Sequence, residues 1–340
     1  MTLYVLLGPT AVGKTELALQ IAEKLGSPIL NCDSRQIYRG MEIGTAAPTK
    51  EQQERVKHYF VGTHDIGSYY SAAQYEQDVL SLIAELSGTH QSLLLSGGSM
   101  MYLDAVCNGI DDIPSVDAEV RETLRNRLAN GEICEMRSEL RMLDPEYYHT
   151  ADTRNPKRVV HALEVCYTSG RPYSSFLTKE RKSRPFDIVK IGLRRERDEL
   201  FDRINRRVDA MMVEGMLDEA RRLYPFRKEN ALNTVGYKEL FRYLAGEWEL
   251  PFAVEKIKKN TRDYAKKQMT WFAHDTSISR FKCCLRASTS RPSSASSRWK
   301  RVCCWHKSTV WKPASFSPTS TMCWVPVPSK YSRRVFLILC

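Results

Sequence analysis

Eight residues near the start of the chain, Gly8-Pro9-Thr10-Ala11-Val12-Gly13-Lys14-Thr15, constrain the fold more than any other feature. They fit the pattern G-x-x-x-x-G-K-[ST], which acquires a mechanism only between a buried strand and a helix. Both flanks are present. Residues 3–7 form a short apolar run that reads as a strand. Residues 15–25 place Leu17, Ala18, Ile21, Ala22 and Leu25 on one helical face. In that setting the glycines let backbone N–H groups curl around phosphate oxygens, and the helix N-terminus adds its dipole. Lys14 supplies a point charge, and Thr15 can ligate Mg²⁺. The bland alternative is a tight turn with a surface lysine; the agreement of loop and context weighs against it.

The rest of the first 110 residues alternates short apolar runs with helical patterns, as βαβ units on a parallel sheet do. Residues 28–32 read as a second strand, and residues 92–95 as a later one ending at Gly97-Gly98. The pattern over residues 116–170 is helical. Asn155-Pro156 is a helix start and Gly170 a stop. Residues 188–193 return to the sheet, and residues 196–224 and 251–272 read as two long helices. These patterns predict an α/β fold with a parallel-sheet core (residues 1–115 and 188–280), interrupted by a helical stretch (116–187). No apolar run approaches ~18 residues, so no membrane span is expected. The chain enters its first strand without a basic leader, so a cytoplasmic location is expected.

Net charge is +11, which suggests a polyanionic partner at first sight. Its distribution changes that reading. Residues 281–340 hold 11 of the 51 Lys and Arg and none of the 40 Asp and Glu, so the preceding 280 residues are balanced. Six of ten cysteines and four of six tryptophans also lie in this tail, where periodicity fails. A change of reading frame or a cloning scar explains such a composition best, with a disordered tail as the expectation. A basic RNA-binding extension and a zinc site compete with it. Cys283-Cys284 and Cys303-Cys304 lack the spacing that brings two thiolates to one tetrahedral ion.

A motor ATPase carries an apolar strand ending in a metal-binding Asp. Here the later strand runs into Ser96-Gly97-Gly98-Ser99 instead, and the acid is Asp33, at the end of the second strand. A carboxylate there can ligate metal, accept a proton or cap a helix.

The segment from Asp33-Ser34-Arg35-Gln36 through Tyr38-Arg39-Gly40-Met41 to Ile43-Gly44-Thr45-Ala46 resembles the DSxQxYRGMxIGTA signature of tRNA dimethylallyltransferases. The Gly8–Thr15 loop, residues 97–102, residues 235–239 and residues 261–272 match the same family in order. The resemblance covers nearly all of residues 1–280. It implies a P-loop, nucleoside-kinase-like core, with residues 116–187 as an inserted helical domain. It implies that the loop (Gly8, Pro9, Thr10, Ala11, Val12, Gly13, Lys14, Thr15) holds the diphosphate of dimethylallyl diphosphate. It implies an acceptor as well: the exocyclic amine of the adenosine 3′ of the anticodon in tRNA. An adenine amine is a weak nucleophile, and the resemblance places Asp33 to remove its proton. Lys14, Thr15 with Mg²⁺, Thr10 and Arg207 would stabilise the leaving diphosphate. Arg206 adjoins Arg207; the latter matches the family's diphosphate-contacting arginine.

For tRNA the resemblance implies contacts from Asp33, Ser34, Arg35 and Gln36, with Ser34 and Gln36 beside a flipped base. Ser99 stands where the family has Thr. Arg121 follows Glu119-Val120 as the family's tRNA-contacting arginine does; otherwise it is one more exposed charge. Lys157, Arg158 and His161 form a basic helix face suited to RNA phosphates, although the family usually has Arg at position 161 and Lys at position 47, here Ala47. Val159, Val160, Leu163 and Val165 read as core, as do Trp271 and Phe272. The run Lys256, Lys258, Lys259, Arg262, Lys266 and Lys267 reads either as a solvated face or as an RNA face. A monomer is expected. An adenylate isopentenyltransferase and an ATP-dependent small-molecule kinase are the alternative functions.

Overall fold

A computed structural model describes residues 1–178 and 181–283 and the backbone of residues 303–304. β1 (Thr2–Leu7) is buried on both faces. Its alternation sends Leu3, Val5 and Leu7 into one core cluster and Tyr4 and Leu6 into another, so the strand must lie inside a covered sheet. α1 (Lys14–Leu25) follows the loop, buries Leu17, Leu19 and Ile21, and ends at Gly26. Next come β2 (Ile29–Cys32), two short helices α2 (Glu42–Thr45) and α3 (Lys50–Arg55), and β3 (His58–Tyr59). α4 (Ala72–Leu86) starts in a capping box of Ser71 and Gln74. It leads to β4 (Ser92–Gly97) and α5 (Met100–Asn108).

A helical unit interrupts the core here: α6 (Ala118–Ala129), α7 (Ile133–Leu143), α8 (Pro145–Thr150) and α9 (Pro156–Ser169). α9 runs from its Asn155 cap to left-handed Gly170, as the sequence predicts. Its apolar face, with Val159, Leu163 and Val165, packs on Leu124, Met136 and Leu140 in a core belonging to this unit. Buried Asp144 caps α8 through the Tyr147 N–H and accepts from both the backbone and the hydroxyl of Ser174.

The core resumes with β5 (Asp187–Arg194), α10 (Arg197–Glu214), α11 (Met216–Leu223), α12 (Tyr237–Leu244), α13 (Leu250–His274), β6 (Ser279–Lys282) and a two-residue β7 (Cys303–Cys304). The sheet order is β3-β2-β4-β1-β5-β6-β7, parallel except for the β6–β7 pair. α4 and α5 cover one face and α1 and α10 the other; Trp271 and Phe272 pack in the first of these layers. A third cluster joins α10, α11, α12 and α13 around Tyr237, Leu240 and Ile257.

Three expectations change. The helix read over residues 196–224 is two helices, because Gly215 adopts φ 104°, a left-handed turn that ends α10 and starts α11. The inserted unit spans residues 108–183 rather than 116–187: Asp111 binds Thr178 and Asp112 pairs with Lys182 within it. The sheet also continues past residue 280, since β6 reaches Lys282 and pairs with β5. The remaining tail readings, for residues 284–340, lie outside the described residues apart from β7, of whose side chains nothing is described. Among the described residues no helix is long and apolar enough to cross a membrane.

Candidate active site

Because β1 to β6 run the same way, their carboxyl ends gather along one edge of the sheet. The loop after β1, Asp33 after β2, Gly97-Gly98 after β4 and Arg195 after β5 all open there. A cavity of about 760 Å³ is lined by Thr10, Lys14, Thr15, Asp33, Gly98 and Arg207, among others. A second, of about 360 Å³, shares Thr10, Asp33, Arg207 and Tyr264 with it and adds the apolar Val208, Met211 and Ile257.

Four carbonyl groups of the loop, those of Gly8, Pro9, Ala11 and Val12, are engaged by side chains. Lys14 Nζ donates to the Gly8 and Pro9 carbonyls at 2.7 and 2.8 Å. Arg203 Nε donates to the Ala11 carbonyl at 2.9 Å, and Arg195 Nε to the Val12 carbonyl at 2.8 Å. Gln268, buried on α13, accepts the Thr10 N–H at 2.9 Å and donates to the Gly98 carbonyl at 2.8 Å. The two ends of a peptide plane point opposite ways. Fixing the Val12 carbonyl on Arg195 therefore aims the Gly13 N–H away from Arg195. The first N–H groups of α1 have no intrahelical acceptor, so they too are left for an anion.

Two cations of this site, Lys14 and Arg207, are recessed from solvent. Burial, then the neighbouring Arg207, lowers the Lys14 ammonium to about 7, while Asp33 opposes the shift. Burial also pulls the Arg207 guanidinium below its ordinary value, with Asp33 again opposing. Arg207 takes no hydrogen bond or ion pair from the described residues. Arg206, one position earlier, is exposed and paired with Asp202. The geometry thus separates the two arginines, and Arg207 is the one that lines both cavities.

Asp33 both caps a turn and lines the site. Its Oδ1 caps the following turn, accepting from the N–H of Arg35 at 2.9 Å and of Gln36 at 3.4 Å. The carboxylate also lines both cavities, beside Tyr264, whose hydroxyl is held above its ordinary pKa by burial and then by Asp33. Ser34 lines the smaller cavity. Arg35 is turned onto the carbonyls of Asn230 and Ala231. The Gln36 amide nitrogen is spent on the Thr45 and Ala46 carbonyls, which leaves only its oxygen to accept a bond from a base. Ser99 is buried at the start of α5 and is not among the residues lining either cavity.

Several site residues carry no role in the sequence reading. Arg203 lies one helical turn from Arg207, a spacing that could have drawn attention to it. Arg195 and Gln268 are buried polar groups, visible only once the fold is known. Glu219 is buried too; it accepts the N–H of Ile43 and Gly44 and the Tyr237 hydroxyl, fixing the loop that leads to Thr45.

In the inserted unit, Lys157 and Arg158 are exposed on the first turn of α9. Arg121 and His161 both face Glu164, a buried acid, at 3.7 and 3.5 Å, so each has a partner inside the unit. On α13, Lys258 pairs with Asp209, Lys266 with Asp263, and Arg262 donates to Asn205. Much of that basic run therefore works within the protein, Lys258 and Arg262 by holding α13 to α10.

Among the described residues no group of three or more His, Cys, Asp or Glu gathers to hold a metal. Mg²⁺ usually keeps several waters and binds through one or two protein oxygens plus substrate phosphates. Thr15 and Asp33 in one cavity fit that mode and do not fit an all-protein cage.

A family model described as IPP transferase matches residues 36–275. The chain is 60% identical to tRNA dimethylallyltransferase 1 of Bacteroides fragilis over 277 residues, 82% of this chain and 92% of the relative. It is 44% identical to the tRNA dimethylallyltransferase of Christiangramia forsetii over 276 residues, 81% and 91% of the two chains. Among solved structures it is similar to the full-length tRNA isopentenylpyrophosphate transferase of Bacillus halodurans, with TM-score 0.60 and 35% identity over 83% of this chain and 89% of that one. A eukaryotic dimethylallyltransferase shares the fold at TM-score 0.70 and 24% identity, over 83% of this chain and 73% of its own.

Proposed function

Because the chain belongs to the IPP transferase family, we propose that it moves the dimethylallyl group of dimethylallyl diphosphate onto the N6 amine of the adenosine 3′ of the anticodon in tRNA. One observation carries the reading. Arg207 is a recessed guanidinium with no hydrogen bond or ion pair among the described residues, and it lines a cavity with Lys14 and the loop. A desolvated cation is costly unless an anion completes it. A diphosphate is the anion for which the loop amides are shaped.

The two cavities meet at Thr10, Asp33 and Arg207, which gives donor and acceptor separate approaches to one point. In the transfer, the N6 lone pair bonds to the allylic carbon and the carbon–oxygen bond to diphosphate breaks. Its electron pair leaves with the diphosphate, and the amine proton passes to Asp33. The turn bonds to Oδ1 fix the carboxylate and leave Oδ2 to take that proton. Base assistance of this kind contributes about 10²- to 10⁴-fold. Lys14, Arg207, the Thr10 hydroxyl and the loop N–H groups meet the charge that builds on the diphosphate. Mg²⁺ held by the diphosphate and Thr15 would supply further neutralisation of that charge. The adenine leaves the anticodon stack to reach the site, and Lys157 and Arg158 are suited to hold RNA phosphates meanwhile.

The test is to incubate the protein with tRNA and isotopically labelled dimethylallyl diphosphate, digest the RNA and measure its nucleosides by mass spectrometry. AMP as acceptor and labelled ATP as donor form parallel arms. A mass increase of one dimethylallyl group on adenosine is expected. Label that moves only to AMP, or only from ATP, overturns the reading.

A further inference from the structure

Two arginines bond the loop from behind. Arg195 sits between β5 and α10, with its side chain 1% exposed. Among the described residues its three nitrogens have three different partners. Nε donates to the Val12 carbonyl at 2.8 Å, one terminal nitrogen pairs with Glu199, and the other contacts Cys283 Sγ at 3.3 Å. Cys283, just past β6, is itself buried, and its N–H donates to the Arg194 carbonyl. One guanidinium therefore joins the loop to the ends of β5 and β6 and to the first turn of α10. Arg203 repeats the device one peptide earlier, at Ala11.

Arg195 has no access to a ligand on the cavity side, because it is not among the residues lining either cavity. It acts on the peptide plane between Val12 and Gly13. Holding the carbonyl fixes the opposite N–H in direction. A donor aimed before the anion arrives needs no reorganisation when charge develops.

We propose that Arg195 is a positioning residue for the diphosphate: from behind the loop it presets the Gly13 N–H, and through it the anion-binding geometry. Its planar, forked guanidinium matters as well as its charge, since its three nitrogens meet partners on separate sides, whereas lysine offers a single nitrogen. The inference rests on the diphosphate-binding role proposed above.

The experiment measures the affinity of the full chain and its variants for inorganic pyrophosphate by calorimetry, together with steady-state constants for dimethylallyl diphosphate and tRNA. Arg195→Ala is expected to weaken pyrophosphate binding about 10- to 100-fold, the loss typical of a charge-assisted hydrogen bond. KM for the prenyl donor rises in step, and KM for tRNA is unchanged. Arg195→Lys recovers part of the affinity. The lysine variant keeps the charge and loses the fork, and it serves if the alanine variant does not fold. Wild-type-like pyrophosphate affinity in a folded Arg195→Ala or Arg195→Lys protein overturns the proposal, as does an equal loss in KM for tRNA. Failure of the wild-type chain itself to bind pyrophosphate would instead sink the function on which the proposal rests.

Discussion

Lys14 should take up a proton when the site takes up diphosphate. Burial and Arg207 bring its ammonium to about 7 in the empty site. A polyanion touching Nζ favours the charged form and carries the pKa back above the assay range. The sign follows directly. At pH 8 the free protein has Lys14 only about a tenth protonated, whereas the complex has it fully charged, so binding consumes about 0.9 proton at this residue. At pH 6 the residue is already charged, and the uptake falls to about 0.1. Affinity for diphosphate therefore declines as pH rises through 7, approaching about tenfold per pH unit above it. Calorimetry of inorganic pyrophosphate in buffers of different ionisation enthalpy counts these protons. Lys14→Arg is the reference, because a guanidinium stays charged throughout, and the difference removes protons belonging to the ligand. Equal uptake by both proteins at pH 8 would refute the argument.

Asp33→Asn should lower kcat about 10²-fold or more while pyrophosphate affinity stays within a few-fold, because the amide oxygen can still cap the turn; unchanged turnover removes Asp33 as the base. Arg207→Met should abolish most pyrophosphate affinity yet leave the melting temperature equal or higher, since it removes a desolvated charge with no hydrogen bond or ion pair among the described residues; a clear fall in melting temperature contradicts that account. Gly98→Ala should destabilise the fold by about 1–3 kcal/mol, because its Cβ would stand 2.6 Å from Gln268 Nε2; a thermal melt like that of the wild type shows the contact to be slack.

The parallel core was legible because a phosphate loop between a strand and an amphipathic helix admits few other folds, and β1, α1, β2 and β4 lie where periodicity puts them. The break at Gly215 was missed because Glu196 to Tyr224 keeps one apolar period on both sides of the glycine. β6 was missed because four residues beside a tail of changed composition carry too little pattern. At the site, the loop motif named Lys14 and Thr15, the place after a strand named Asp33, and the family resemblance named Arg207; all four line one cavity. Residues that act on the loop's backbone from elsewhere in the chain were not named, because a bond from Arg195 to Val12 spans 183 positions and leaves no local trace. Gln36 and Ser99 mark the opposite limit. A motif names them, and their side-chain and backbone surroundings decide what they are free to do.

The bond between Gln268 and the Thr10 N–H joins positions 258 apart. During synthesis the loop leaves the ribosome early, and the side chain that steadies it emerges among the last residues of the core. A nascent chain thus holds the full phosphate-loop motif long before it holds a working cup. Any chain cut short before α13 would carry the motif intact and the Thr10 N–H without this acceptor. Competence to bind the donor is in that sense a report that the whole core has been made.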